Sequence, residues 1–173
     1  MRNKFDRDGA ALASGMAAES SFELAALANQ MSVRKATRQE NFTHIDYFIQ
    51  LNGAKENSVD VKARKKIKRS DDDVNNDHVW IEFKNVQGKR GWIYGKADLI
   101  AFEREDSFLL VDRKLLARLC EKLVDLSQVN TNLAFPLYVG YQRRNRKDML
   151  SLIKISDITS NIKHSFIKKP CKE

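Results

Sequence analysis

Cysteine is scarce in this chain, two among 173 residues, at positions 120 and 171. Cys120 falls inside a helical apolar pattern and Cys171 in a polar tail, so they do not suggest a disulfide framework. A reduced, cytoplasmic setting is expected. Histidine is nearly as sparse: His44, His78 and His164 are widely separated, and no Cys-x-x-Cys accompanies them, which argues against a structural zinc site. No apolar run approaches the roughly 18 residues needed to span a bilayer. The start, Met1 to Asp8, lacks the continuous apolar segment of a secretion signal. Internal repeats and low-complexity tracts are also absent.

Basic charge is plentiful. Lys and Arg number 31 against 23 Asp and Glu, a formal net charge of +8, which favours a polyanionic partner, nucleic acid before an anionic membrane surface. At 42% hydrophobic content the chain can bury a sizeable core, and its length fits one domain spanning residues 1–173, with 1–12 and 165–173 as flexible tails. Ala13 to Met31 reads as a helix with Phe22, Ala25, Ala26 and Asn29 inward. Strands are expected over 33–37, 44–51, 58–64, 79–86, 92–102, 108–111, 137–141 and 149–155. Asp112 is placed to cap a helix whose Leu115, Leu116, Leu119, Cys120, Leu123 and Val124 recur at helical spacing. The whole predicts an α/β fold with a mixed central sheet flanked by helices, beginning as a strand meander.

Two strand-like runs concentrate chemistry. In His44 to Leu51 alternation sends Ile45, Tyr47, Ile49 and Leu51 one way and His44, Asp46, Phe48 and Gln50 the other. In Ser58 to Arg64, Val59 and Val61 oppose Asp60 and Lys62. The register that joins the apolar sets also joins the charged ones. A five-residue loop over 52–56 sets Asp46 opposite Lys62 and diagonal to Asp60, whereas a two-residue Asn52-Gly53 turn would place Asp46 opposite Val59 and mix the faces. Two carboxylates about 4 Å apart repel by roughly 4 kcal/mol at an effective dielectric near 20, so gathering them makes sense with a cation present. Mg²⁺ or Mn²⁺ suits hard oxygen ligands, and a lysine beside it can position a water and neutralise charge at a scissile phosphate.

With these residues the sequence resembles the PD-(D/E)XK nuclease superfamily, whose core runs helix, three-stranded meander, helix, strand. The resemblance covers residues 13–64 best and rests on Phe22-Glu23, His44-Ile-Asp46 and Asp60-Val-Lys62, although no proline precedes Asp46. It implies a restriction-endonuclease-like core and metal-dependent hydrolysis of DNA or, less often, RNA. Glu23, Asp46, Asp60 and the Val61 carbonyl would surround the metal, with Lys62 at the water and a homodimer as one way to cut two strands. Glu82-Phe-Lys84 has the same acid-x-lysine spacing. If it were the third motif, Asp60 would become the second acidic residue. The stretch from Trp80 to Phe102 also resembles segments of bacteriophage nuclease-like proteins.

Each of these residues has a plainer reading. Ser20-x-x-Glu23 is a capping-box spacing, Asp46 and Lys62 make an ordinary cross-strand ion pair, and His44 suits a strand start. Phosphate contacts are expected first from Arg64, Lys65, Lys66, Lys68 and Arg69, then from Lys89 and Arg90, with Arg143 to Lys147 a further basic turn. Trp80, Trp92 and Tyr94 are read as packing before base stacking. A non-catalytic nucleic-acid-binding protein and a protein-interaction factor with a basic face are the alternatives to a nuclease.

Overall fold

The computed structural model describes residues 9–51, 53–68 and 70–169. Its first helix, α1 (Ala10–Ala28), begins after Gly9, whose φ of 77° suits glycine, and stops at Asn29, whose Nδ2 donates back to the Ala25 carbonyl at 2.8 Å. The helix thus starts and ends about three residues before the expected limits. Ala18, Phe22, Ala25 and Ala26 are buried as an inward stripe, but Asn29 is an exposed cap. Ser20 sits in mid-helix, so Ser20 and Glu23 do not form a capping box.

Strands β1 (Met31–Lys35), β2 (Tyr47–Leu51) and β3 (Asn57–Lys62) form the expected antiparallel meander. Between the first two lies α2 (Arg38–Asn41), a single turn closed by a capping box of Thr37 and Glu40. The hairpin register differs from expectation by two residues: Tyr47 pairs with Val59, not with Val61. A shift of two preserves which side chains share a face, so Asp46 and Asp60 still come together. Asn52 lies outside the described residues.

The expected strands over 79–86 and 92–102, adjacent in sequence, do not pair with each other. Strand β4 (His78–Lys84) belongs to another sheet, and β5 (Leu99–Glu103) pairs in parallel with β3. Gly91 explains the departure. A Cβ there would lie 2.1 Å from the Glu82 carbonyl oxygen, so only glycine lets the returning chain hug β4. A 3-10 turn, Trp92–Tyr94, then buries Trp92 and Ile93 on the way to the first sheet.

Next come β6 (Ser107–Asp112), α3 (Arg113–Leu123), β7 (Asp125–Asn130), β8 (Val139–Tyr141), β9 (Met149–Lys154), α4 (Ile155–Asn161) and β10 (His164–Lys168). Asp112 caps α3 as expected, its Oδ1 accepting from the Leu115 amide at 2.8 Å. Residues 165–168, expected as tail, complete the first sheet as β10 paired with β6. Likewise, residues 10–12 are helical.

The result is a mixed α/β fold with a central six-stranded sheet, ordered β1-β2-β3-β5-β6-β10, and a four-stranded sheet, β4-β9-β8-β7. Helix α1 covers one face of the larger sheet, where Phe22 packs with Tyr47, Val59, Val61 and Phe108. On the opposite face Ile100, Phe102, Leu109 and Val111 share a core with Ile81, Ile93, Leu116 and Ile153. Alternation along β3 therefore sends Val59 and Val61 to α1, and Asp60 and Lys62 to the seam between the sheets.

Candidate active site

Asp60 is 2% exposed. Its Oδ1 accepts from the Lys62 ammonium at 2.5 Å, while Oδ2 is buried without any hydrogen-bond partner. Burial pushes its carboxyl up to about 7; the Asp46 charge pushes the same way, and Lys62 opposes both. The Lys62 ammonium also lies 5.0 Å from the centre of the Trp92 ring. The ion pair is thus Lys62 with Asp60 rather than with Asp46.

Asp46 is oriented by three groups. The backbone amide of Val61 donates to its Oδ2 at 2.8 Å, Asn41 Nδ2 donates to Oδ1 at 2.9 Å, and its own amide donates to the Val59 carbonyl. The short α2 turn thus positions a side chain of the site through Asn41. His44, in the left-handed region at φ 62°, packs where only Gly95 leaves room: a Cβ on Gly95 would lie 2.8 Å from that of His44. Burial and Lys62 hold its imidazole below the usual histidine value, against the pull of Asp46.

Glu23 does not join this group by any bond; its carboxylate accepts from the Tyr47 hydroxyl at 3.1 Å. Glu19, one turn earlier on the same face of α1, is the helix carboxylate that senses Asp46 and Lys62. Burial raises its pKa first and Asp46 second, with Lys35 and Lys62 opposing. Sequence reasoning missed Glu19, although the four-residue spacing that stacks it beside Glu23 was present.

Glu82 approaches from the second sheet. Burial raises its carboxyl, while Lys62, Lys65, the Trp92 amide and Arg143 act to lower it. Lys84 is exposed at the end of β4, and Phe83 between them enters the core. The acid of Glu82-Phe-Lys84 therefore borders Lys62 while its lysine faces solvent.

The basic clusters separate. Lys65 is within electrostatic reach of Lys62, Glu82, Arg143 and Asp60. Arg143 is anchored by its Nε on Asp148 Oδ2 at 2.6 Å, with Asp148 fully buried. Arg64 is held by Asn76 at 3.0 Å, the Lys66 ammonium by the Asp71 carbonyl at 2.5 Å, and the Lys68 amide by the Asp71 side chain at 2.8 Å. Lys89 lies in the turn after β4, and Arg90 stacks on Tyr94 at 4.8 Å. Arg69 lies outside the described residues.

Among the described residues no three His, Cys, Asp or Glu side chains are grouped so as to hold a metal ion by themselves, and no helix is long and apolar enough to cross a membrane. The arrangement is two adjacent carboxylates, one with an unpartnered buried oxygen, a lysine between them and a glutamate, and further cations at the rim. No protein-family model matches the chain, and neither a curated protein nor a solved structure shows significant similarity to it.

Proposed function

We propose that the chain is a divalent-cation-dependent nuclease of the PD-(D/E)XK kind, with a restriction-endonuclease-like core, hydrolysing phosphodiester bonds of DNA in preference to RNA. The observation that carries this reading is Asp60: a buried carboxylate with one oxygen on Lys62 and the other without a partner. An unpartnered buried carboxylate oxygen is costly, and a hard cation is a partner that offsets the cost. Mg²⁺ or Mn²⁺ fits this donor set, because such ions need only one or two protein carboxylates and retain several waters.

Asp46, Asp60 and the carbonyl of Val61 would hold the ion. Glu19, which feels the Asp46 charge while Glu23 is bonded to Tyr47, would serve as the helix carboxylate beside the ion. When bound, the cation supplies an acidified water and charge neutralisation at the phosphate. Lys62 holds the attacking water against the phosphorus and donates to the oxygen on which charge develops. As the water oxygen bonds to phosphorus and gives up a proton to solvent, the opposite phosphorus–oxygen bond would break in line and the leaving oxygen would take a proton from water. Lys65 and Arg143 fix the flanking phosphates.

The test is cleavage of labelled linear, circular and branched DNA and RNA with Mg²⁺, Mn²⁺ or EDTA. Wild type is expected to cut only with metal. Asp60→Asn is expected to lose at least about a hundredfold in rate with unchanged circular dichroism, and Lys62→Ala, which removes the partner of the buried Asp60 carboxyl, at least about a hundredfold in rate per folded molecule. Glu19→Gln is expected to lose more activity than Glu23→Gln. Tight nucleic-acid binding without cleavage under every condition would replace the enzyme by a non-catalytic binding protein, and cleavage that survives Asp60→Asn would displace the site.

A further inference from the structure

We infer that the substrate strand continues from the Asp46, Asp60 and Lys62 centre over the face of the second sheet that carries Trp80, and that its unpaired bases stack there. The nuclease reading gives this path its starting point. Along β4, Val79, Ile81 and Phe83 turn into the core, leaving His78, Trp80 and Glu82 on the other face. Glu82 is the member of this row that faces Lys62, Lys65 and Arg143. Alternate residues of a strand lie about 7 Å apart, so the row leads from the reacting centre to Trp80 and then to His78. That step is about twice the 3.4 Å rise of a stacked duplex strand, which suits an extended single strand whose bases have separated from one another.

Each step of the row has an aromatic companion. The Trp80 and Tyr141 rings lie 6.1 Å apart with planes at 41°, and His78 meets Phe135 edge to face at 5.0 Å. Trp80 and Tyr141 are half-buried and Phe135 is 43% exposed. The indole N–H of Trp80 donates to the Lys66 carbonyl at 3.2 Å. Its edge is therefore occupied, leaving the ring to interact through its π-face, which every base accepts. A shallow recess lined by Lys62, Lys65, His78, Trp80, Trp92 and Arg104 places Lys62 on one wall with Trp80 and His78. Cations beside aromatics are the combination that single-strand binders use, the one for the backbone and the other for the bases. Paired bases hide their faces in the stack, so a duplex gains only the phosphate contacts.

Tryptophan fluorescence tests the path, because Trp80 and Trp92 are the only tryptophans and Trp92 is buried. The protein is titrated in EDTA with a dodecamer of thymidylate, one of uridylate, and a blunt DNA duplex of equal length. Both single strands are expected to quench and to bind at least about tenfold more tightly than the duplex. Read for the variants by the anisotropy of a fluorescein-labelled strand, because they lack the reporting indole, Trp80→Ala should weaken single-strand binding about tenfold, and Trp80→Phe should keep most of it. Phe135→Ala, at an exposed position, should weaken it several-fold with the thermal midpoint unchanged, which keeps the test valid if Trp80→Ala misfolds. Equal binding of duplex and single strand, or unchanged affinity in folded Trp80→Ala, overturns the inference. Cleavage of the same oligonucleotides with Mg²⁺ is scored separately. Single-strand binding with quenching but no cleavage supports the stacking face and overturns the catalytic reading. Cleavage with no dependence on Trp80 or Phe135 does the reverse.

Discussion

At Asp60 the fold buries a carboxylate, gives one oxygen an ammonium at 2.5 Å and gives the other no partner. Its carboxyl is pushed up from 3.8 to about 7, by burial first, so the folded state holds a proton that the unfolded state releases. The sign follows from linkage: the stabilising contribution is complete below about pH 4 and is lost as pH rises towards about 7. In EDTA, thermal stability should therefore fall across that window by an amount on the order of 2–4 kcal/mol. Asp60→Asn should flatten the slope and melt higher than wild type at neutral pH, by roughly 2–4 °C per kcal/mol gained. A pH profile of the thermal midpoint for both proteins checks this, and parallel profiles would refute it. The alternation of two short runs made Asp46, Asp60 and Lys62 legible as a group. Which carboxylate lysine pairs with was not legible, because that depends on a register that faces alone do not fix.

At the scale of elements, the difference between a legible and an illegible segment is whether its partner is local. The meander of β1 to β3 and the capped helix α3 follow from alternation, helical spacing and Asp112. Strand β10 pairs with β6 across more than fifty residues, and its Ser165 and Phe166 are exposed, so nothing in its own composition marks it as sheet. The Trp92 to Phe102 segment reads as one strand with a flaw at Gly95, yet it splits into a 3-10 turn and β5. Gly91 decides this, because its missing Cβ admits the Glu82 carbonyl and sets the Trp92 amide beside the Glu82 side chain. Gly91→Ala should cost on the order of 3 kcal/mol, the range of a severe packing clash, and should reduce activity in the folded fraction by displacing Trp92 from Lys62. Denaturant unfolding gives the first quantity, and turnover normalised to folded protein gives the second. A stable variant with normal turnover would show that the close approach has no functional role.

Across the whole molecule the net charge of +8 is held in place more than it is free to move. The loop that follows the basic run fixes it without neutralising it: the Lys66 ammonium donates to the Asp71 backbone carbonyl, the Lys68 backbone amide to the Asp71 carboxylate, and Arg64 to the uncharged Asn76 side chain. Arg143 is bound to the buried Asp148, so removing it would leave that carboxylate unpaired and confound binding with folding. Lys65 is the better probe, because it stands among the charges of the seam, within reach of Glu82 and Asp60, and its loss strips no fully buried carboxylate of its hydrogen-bond partner. For single strands each phosphate neutralised adds about 0.7 to the slope of log affinity against log salt. Lys65→Ala should therefore lower the magnitude of that slope by about 0.7 for a single-stranded probe. Lys122→Ala, in the last turn of α3, should leave it unchanged. Fluorescence titrations between 50 and 200 mM salt, a range in which counterion release dominates affinity, measure both slopes. Equal losses from Lys65 and Lys122 would mean that the whole basic surface attracts the polymer without guiding it, and the seam between the two sheets would lose its claim to be the path of the strand.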